Sequence, residues 1–162
     1  MELTLRLAEP HDVERIAEFN ALMAEETEGK VLNRETLLKG VAAVVADPHK
    51  GLYYVAEFEG RMVGQLMITY EWSDWRNGTF WWIQSVYVDV GARGSGVFRA
   101  LFDHVRSLAT SRKDVCGFRL YVERSNERAK RTYDRHGMHA SHYEMFEMDI
   151  NFSHEHAPPA GG

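Results

Sequence analysis

The sequence predicts one α/β domain built on a mixed, largely antiparallel central sheet flanked by helices. Three stretches carry that expectation. Residues 81–109 begin as a strand rich in aromatic and β-branched residues (Trp81, Trp82, Ile83, Val86, Tyr87, Val88), as a strand covered on both faces requires. The run breaks at Gly91-Ala92-Arg93-Gly94-Ser95-Gly96 and resumes with Val97, Ala100, Leu101, Val105 and Leu108 at helical spacing. Gly51 to Phe58 and Met62 to Tyr70 are two apolar runs joined by Glu59-Gly60-Arg61, the pattern of a hairpin. Gly117 to Glu123 is a further strand, leading into a helix that Gly137 closes. A chain of 162 residues has the size of one domain and is long enough to bury a good core. That domain is expected over residues 1–150, with 151–162 as a loose tail.

The other elements follow in order. Leu3 to Leu7 alternates like an opening strand. Glu9-Pro10 starts a helix, since proline is tolerated in a first turn. Val13, Ile16, Ala17, Asn20 and Met23 give it one mostly apolar face, and Glu25, Glu26 and Glu28 close it before Gly29. Asn33 is a suitable N-cap for a second helix through Leu37, Leu38, Val41, Val44 and Val45. Asp47-Pro48 stops that helix. Residues 71–78 connect the hairpin to the central strand, with Asn77-Gly78 as the turn. Tyr143 to Ile150 alternates weakly and is expected as a final strand. His154 to Gly162 shows no periodicity.

Composition narrows the function classes. Hydrophobic content of 44% and charged content of 27% are those of a soluble globule. No apolar run approaches the ~18 residues of a membrane span, and the start lacks a signal-peptide pattern, so a cytoplasmic location is expected. The single Cys116 excludes an internal disulfide and suits a reducing compartment. The net charge of −5 conceals a segregation. Residues 1–92 carry 8 Lys/Arg against 15 Asp/Glu, residues 93–135 carry 11 against 5, and residues 136–162 carry none against 4. The basic block contains the glycine loop, where it suits a ligand with several phosphates. It also reads as the solvated faces of two helices. The acidic remainder argues against a nucleic-acid partner.

Strand, glycine loop and helix together hold an anion. Loop and first-turn N–H groups are unpaired, the helix dipole is positive at that end, and glycine admits a phosphate close to the backbone. A Walker A loop is excluded, because no Gly-x-x-x-x-Gly-Lys-Ser/Thr occurs. The dinucleotide fingerprint fails at Arg99, where a third glycine belongs. What remains is Arg93-x-x-Gly96-x-Phe98 after a strand ending Val-Tyr-Val-Asp. This resembles the pyrophosphate loop of the GCN5-related N-acetyltransferases, Gln/Arg-x-x-Gly-x-Gly/Ala, with Phe98 in place of a small residue. A second block is similar to the other signature of that family. After the strand come Asn126, Ala129 three residues on, Tyr133 seven residues on, and Gly137-Met138 closing the helix.

The resemblance implies the acetyltransferase fold of that family and acetyl-CoA as acetyl donor. It implies that the loop from Arg93 through Gly94, Ser95, Gly96, Val97, Phe98 and Arg99 holds the pyrophosphate. Val86, Tyr87 and Val88 of the central strand would hold the pantetheine arm, mainly by the backbone of Val86 and Val88, and Asn126 would touch the same cosubstrate. Tyr133 would protonate the departing CoA thiolate. Transfer to a primary amine would be direct, in a ternary complex.

Acetyl transfer also needs a group that takes the proton of the amine. Where some members of the family carry a strand glutamate this chain has Tyr121, and Trp82 and Gln84 stand where others carry histidine. Glu71, Glu123 and an ordered water remain, with Glu71 slightly preferred. Glu26 with its neighbours Glu25 and Glu28, and Trp75 with Trp72, lie in two segments expected to frame the acceptor. Together with Gln84 they suit a small cationic or aromatic amine. The acidic cluster also reads as a solvated turn, and the tryptophans as core, a sheet cap or a protein interface, so a homodimer stays open. No metal is expected: His136, His139, His142, His154 and His156 have no convincing ligand spacing. Neither a membrane nor a nucleic acid is expected as a partner. The alternative reading is a domain of the same fold that senses acyl-CoA without turnover.

Overall fold

The computed structural model describes residues 1–151. Five strands form one sheet in chain order. Strands β1 (Thr4–Leu7), β2 (Leu52–Phe58), β3 (Arg61–Ser73) and β4 (Gly78–Val88) are antiparallel neighbours, and β5 (Val115–Arg119) joins β4 in parallel. Helices α1 (Val13–Glu28) and α2 (Arg34–Ala46) pack on one face. Helix α3 (Val97–Ser111) packs on the other, with α4 (Glu127–Arg135) beside it.

Local chemistry sets the ends of these elements. Glu59 and Gly60 both have positive φ, which lets a two-residue turn join twisted strands β2 and β3. Pro10 begins a 3-10 turn that leads into α1, and Gly29 ends α1 at φ 63°. Asn33 caps α2 by accepting from the Thr36 N–H at 2.9 Å.

Two cores result. Val97, Leu101, Phe102, Val105 and Ala109 form the buried stripe of α3 against Leu66, Ile68, Trp81 and Ile83. On the opposite face, Ile16, Ala17, Phe19 and Val41 pack against Tyr53, Val55, Met62 and Tyr87. Helix α3 rests closely on the sheet at Gly64. A Cβ there would lie 2.6 Å from Val97 Cγ1 and 3.4 Å from both Leu101 Cδ1 and the Tyr87 carbonyl oxygen. The absent side chain therefore lets the first turn of α3 rest directly on β3.

Three boundaries differ from the sequence expectation. β3 continues through Glu71, Trp72 and Ser73, which pair with Phe80, Thr79 and Gly78, so the connector shrinks to a tight turn. β5 ends at Arg119 rather than Glu123, because its pairing with β4 stops at Trp82 and Arg119. The expected strand from Tyr143 to Ile150 does not form among the described residues. Its alternation specifies two faces but supplies no neighbouring strand, and the segment runs exposed. The tail from His154 to Gly162, with the His154-x-His156 pair, lies outside the described residues. No described helix is long and apolar enough to cross a membrane.

The contact at Gly64 yields a stability test. Gly64→Ala forces a methyl into Val97, and overpacking of this kind costs about 1–3 kcal/mol. Chemical denaturation should show that loss, with part of it recovered in Gly64→Ala/Val97→Ala. An unchanged midpoint would mean that α3 is free to shift on β3.

Candidate functional site

The site begins where β4 and β5 part. They pair from Thr79 and Val115 as far as Trp82 and Arg119. β4 then continues alone on that side through Ile83, Gln84, Ser85, Val86, Tyr87 and Val88. A slot opens there, bordered by the backbone of Val86 and Val88. A bulge shapes it. Ladder partners step from Gln65 with Tyr87 to Met67 with Gln84, leaving one extra residue on β4, and Ser85 sits at φ 50°.

Past β4 the chain makes a short 3-10 turn (Val90–Ala92) and enters the glycine loop. Gly94 and Gly96 have φ of 80° and 84°, and a Cβ on either would meet nothing within 4 Å. The backbone N–H groups from Gly94 through Arg99 find no acceptor among the described residues. The Ser95 hydroxyl donates to the Ala92 carbonyl, which braces the turn. Val97 points into the core and is 2% exposed, so only its backbone faces the loop. Phe98 also turns away. Its ring lies among Phe102, Tyr133 and His136, between α3 and α4. Loop, positive helix end and open space together make a cradle for a phosphate group. Arg99 is exposed at its rim.

Arg93, expected at the phosphates, turns back under the strand. It donates to Glu26 Oε2 at 2.7 Å and to the Val88 carbonyl at 3.0 Å. The Tyr87 hydroxyl donates to the other oxygen of Glu26 at 3.0 Å. Glu26 thus clamps α1 to the start of the loop. Hydrogen bonding from Arg93, then from Tyr87, outweighs burial and holds its carboxyl below the ordinary glutamate value. Glu26 is occupied, and it does not share a pocket with Trp75. Trp75 is 90% exposed in the turn before Gly78, at the far end of β4 from Tyr87. Strand rise puts roughly 30 Å between those ends. The two segments expected to frame one acceptor site therefore do not converge.

Helix α4 places Tyr133 beside the first turn of α3, with ring centroids 5.8 Å from Phe98. Burial raises the Tyr133 hydroxyl above its ordinary value. It has no hydrogen-bond partner among the described residues, so its proton is uncommitted. Asn126 caps the helix: its side-chain oxygen accepts from the Ala129 N–H at 3.1 Å.

A polar and aromatic surface extends from the slot across the α1/α2 side of the sheet, past the ends of those helices. Gln84 donates to Thr69 Oγ1 at 2.5 Å. Glu71 accepts from Trp82 Nε1 at 2.9 Å and from Arg119 at 2.8 Å. The Trp82 bond first, with Arg119 adding, holds Glu71 below its ordinary value. Arg119 stacks 3.7 Å above the Phe80 ring, and Tyr121 lies 6.2 Å from Trp82. Glu123 accepts from the Ser125 hydroxyl and backbone N–H, which likewise lower its carboxyl. Neither carboxylate expected as base is therefore poised near neutrality.

Sequence reasoning missed the buried network that holds the bulge. Gln65 is fully buried, and its amide donates to the Ser85 carbonyl at 3.0 Å and to Asn20 Oδ1 at 2.7 Å. Asn20, on α1, donates in turn to the Tyr53 hydroxyl at 3.0 Å. The available signal was polar residues at core positions: Asn20 on the apolar face of α1, and Gln65 inside an apolar strand. No group of three His, Cys, Asp or Glu among the described residues could hold a metal ion.

Comparisons agree with this geometry. The sequence profile of the Acetyltransferase (GNAT) family matches residues 13–138. A possible acetyltransferase from Clostridium difficile 630 shares 43% identity with a TM-score of 0.88, over 94% of this chain and 100% of that one. Two more distant structures share the fold. One is a ribosomal-protein-alanine N-acetyltransferase from Brucella melitensis biovar Abortus 2308, with 17% identity, a TM-score of 0.74, and 93% and 100% coverage of the two chains. The other is a predicted acetyltransferase with acetyl-CoA from Clostridium acetobutylicum, with 16% identity, a TM-score of 0.73, and 91% and 96% coverage. No curated protein matches the sequence.

The network around the bulge is open to test. Gln65→Leu keeps the bulk but leaves the Ser85 carbonyl and Asn20 Oδ1 without a donor. Stability should fall by about 1–3 kcal/mol for each acceptor left unpaired. Denaturation curves measure this, and an unaltered midpoint would show that the bulge holds without Gln65.

Proposed function

Because the chain belongs to the acetyltransferase (GNAT) family, we propose that it moves the acetyl group of acetyl-CoA directly onto a primary amine. One observation carries the donor half of this reading: the unpartnered N–H run from Gly94 to Arg99 faces open space at Gly94 and Gly96. That cradle suits a pyrophosphate, which binds backbone amides without needing the side chain of Arg93. The β4 edge at Val86 and Val88, free where β5 has departed, suits the amide-bearing pantetheine arm.

The chemistry then needs three roles. The neutral amine attacks the thioester carbonyl carbon, forming a C–N bond, and the C–S bond breaks. A β4 N–H at the Ser85 bulge, near Val86, serves the developing oxyanion. Tyr133 gives its proton to the departing thiolate. A hydroxyl raised by burial keeps its proton at neutral pH, as an acid in waiting must. The proton of the amine leaves through water. Glu71 and Glu123 are held low by hydrogen bonds, and such carboxylates are weak bases. Glu71 instead orients Arg119 and Trp82 on the acceptor surface.

The acceptor we propose is an amine with a flat or apolar body, lying on Trp82 and Tyr121 within reach of Gln84. Capture of a cation by Glu26 has less support, since Arg93 already neutralises it. The absence of a poised carboxylate favours one competing reading, an acyl-CoA sensor of the same fold. Release of free thiol from acetyl-CoA across a panel of amines separates the two. A sensor binds acetyl-CoA and releases none.

Two further outcomes follow. Saturating acetyl-CoA should raise the melting temperature by mass action, and Gly96→Asp should abolish most of that rise. The substitution places a side chain at φ 84° and a negative charge at the cradle. No calorimetric binding to the unaltered chain would sink the donor assignment. Tyr133→Phe should lower kcat by about 10²- to 10⁴-fold, with acetyl-CoA affinity and melting temperature little changed. An unaffected kcat would place the proton donor elsewhere.

A further inference from the structure

Building on the acetyl transfer proposed above, we propose that the acceptor is the amino end of an extended peptide with an acidic side chain at its third or fourth residue, and that Arg119 holds that acid. The fold uses Arg119 only in part. Its Nη1 donates to Glu71 at 2.8 Å, while its Nε and Nη2 donate to no described residue. Arg6, Arg93 and Arg112 differ, since each engages two or more of its nitrogens with the protein. The Arg119 side chain is 33% exposed, so its free edge is open to a ligand. That edge carries two parallel N–H groups, the fork that matches a carboxylate.

The fork is held in place. Its Cζ lies 3.7 Å from the centre of the Phe80 ring, Glu71 fixes its rotation, and Trp82 Nε1 in turn holds Glu71. An arginine set in advance loses little side-chain freedom when an acid binds. The charge around it is unbalanced. Arg76 lies over the same Phe80 ring at 4.8 Å, and its guanidinium has no hydrogen-bond partner among the described residues. Two guanidiniums thus face one carboxylate, and a second anion balances them. Position sets the length of the acceptor. Arg119 is the ladder partner of Trp82, which precedes the bulge at Ser85 and the oxyanion position near Val86 on the same strand. At roughly 3.3 Å per strand residue, the acid sits about 13 Å from the reacting amine, and the lean of Arg119 toward Phe80 adds to that. An α-amino acid, whose amine and carboxylate share one carbon, is too short. An extended peptide advances by the same rise, so its third or fourth side chain reaches the fork. Its first residues then lie over Trp82 and Tyr121 as the apolar body.

Thiol release from saturating acetyl-CoA, measured with the amidated peptides Ala-Phe-Ala-Glu and Ala-Phe-Ala-Gln, tests this. The expected kcat/KM is about 10- to 100-fold higher for the glutamate peptide, the worth of a charge-assisted hydrogen-bonded pair. Arg119→Gln should bring the two peptides level by raising KM for the glutamate peptide alone, with acetyl-CoA affinity little changed. Arg119→Lys keeps the charge without the fork and should restore only part of the preference. On the unaltered chain, moving the glutamate to the second position should erase the preference, so the test stands even if the variants do not fold. Equal rates for the two peptides overturn the proposal. So does a preference that survives Arg119→Gln or that ignores the position of the acid. If no peptide releases thiol, it is acetyl transfer that fails. Calorimetry of the two peptides on the CoA-bound chain then reads the acid preference separately, and equal affinities there overturn it.

Discussion

The site depends on one departure from regular strand geometry, the extra residue at Ser85 in β4. Two neighbouring strands have no reason to part within a sheet, because every paired backbone group stabilises closure. The bulge bends β4 and ends its ladder with β5 at Trp82 and Arg119. The open edge at Val86 and Val88 is a consequence. A bulge leaves backbone polar groups unpaired, and here Gln65 answers one of them from inside the core, held in turn by Asn20. The polar network is thus the internal support for an opening that the surrounding apolar packing would not keep by itself.

Two further contacts hold the loop in register with that opening. Gly64 lets Val97 press onto β3, which sets the height of the first turn of α3 above the sheet. Glu26 gathers Arg93 and the Tyr87 hydroxyl, tying α1 to the point where β4 becomes the loop. The loop is therefore fixed from both faces of the sheet while its own N–H groups stay free. Phe98 completes the arrangement from the third side. Its bulk fills the seam between α3 and α4 and supports the ring of Tyr133. A residue that looks like a defect in the motif thereby packs the helix carrying the proposed acid.

The segregated charge takes on a spatial meaning. The basic stretch from residue 93 to 135 contains the loop, β5 and α4, and some of its arginines are internally engaged: Arg93 with Glu26, Arg112 with Asp114, Arg119 with Glu71. A polyanion at the loop would then be held less by the arginine count than by the oriented backbone, with the exposed Arg99 beside it.

The sequence by itself determined the order and type of nearly every element, because hydrophobic period, caps and glycine turns are local. It marked the loop from Arg93 to Arg99 and the Asn126–Tyr133 helix, since each rests on spacing within a few turns of chain. Only the tertiary structure decided what spacing does not encode. Glu26 and Arg93 are 67 residues apart, and their ion pair exists because α1 crosses the end of β4. Glu71 and Arg119 are 48 apart and meet across strands, turning an expected base into a held carboxylate. Trp75 and Glu26 lie in segments whose sequence suits one pocket, yet strand length separates them. The bulge at Ser85 left no local mark, because its extra residue is defined only against the partner strand. The alternation of residues 143–150 was legible, but a strand is a relation between two segments, and no described segment pairs with this one.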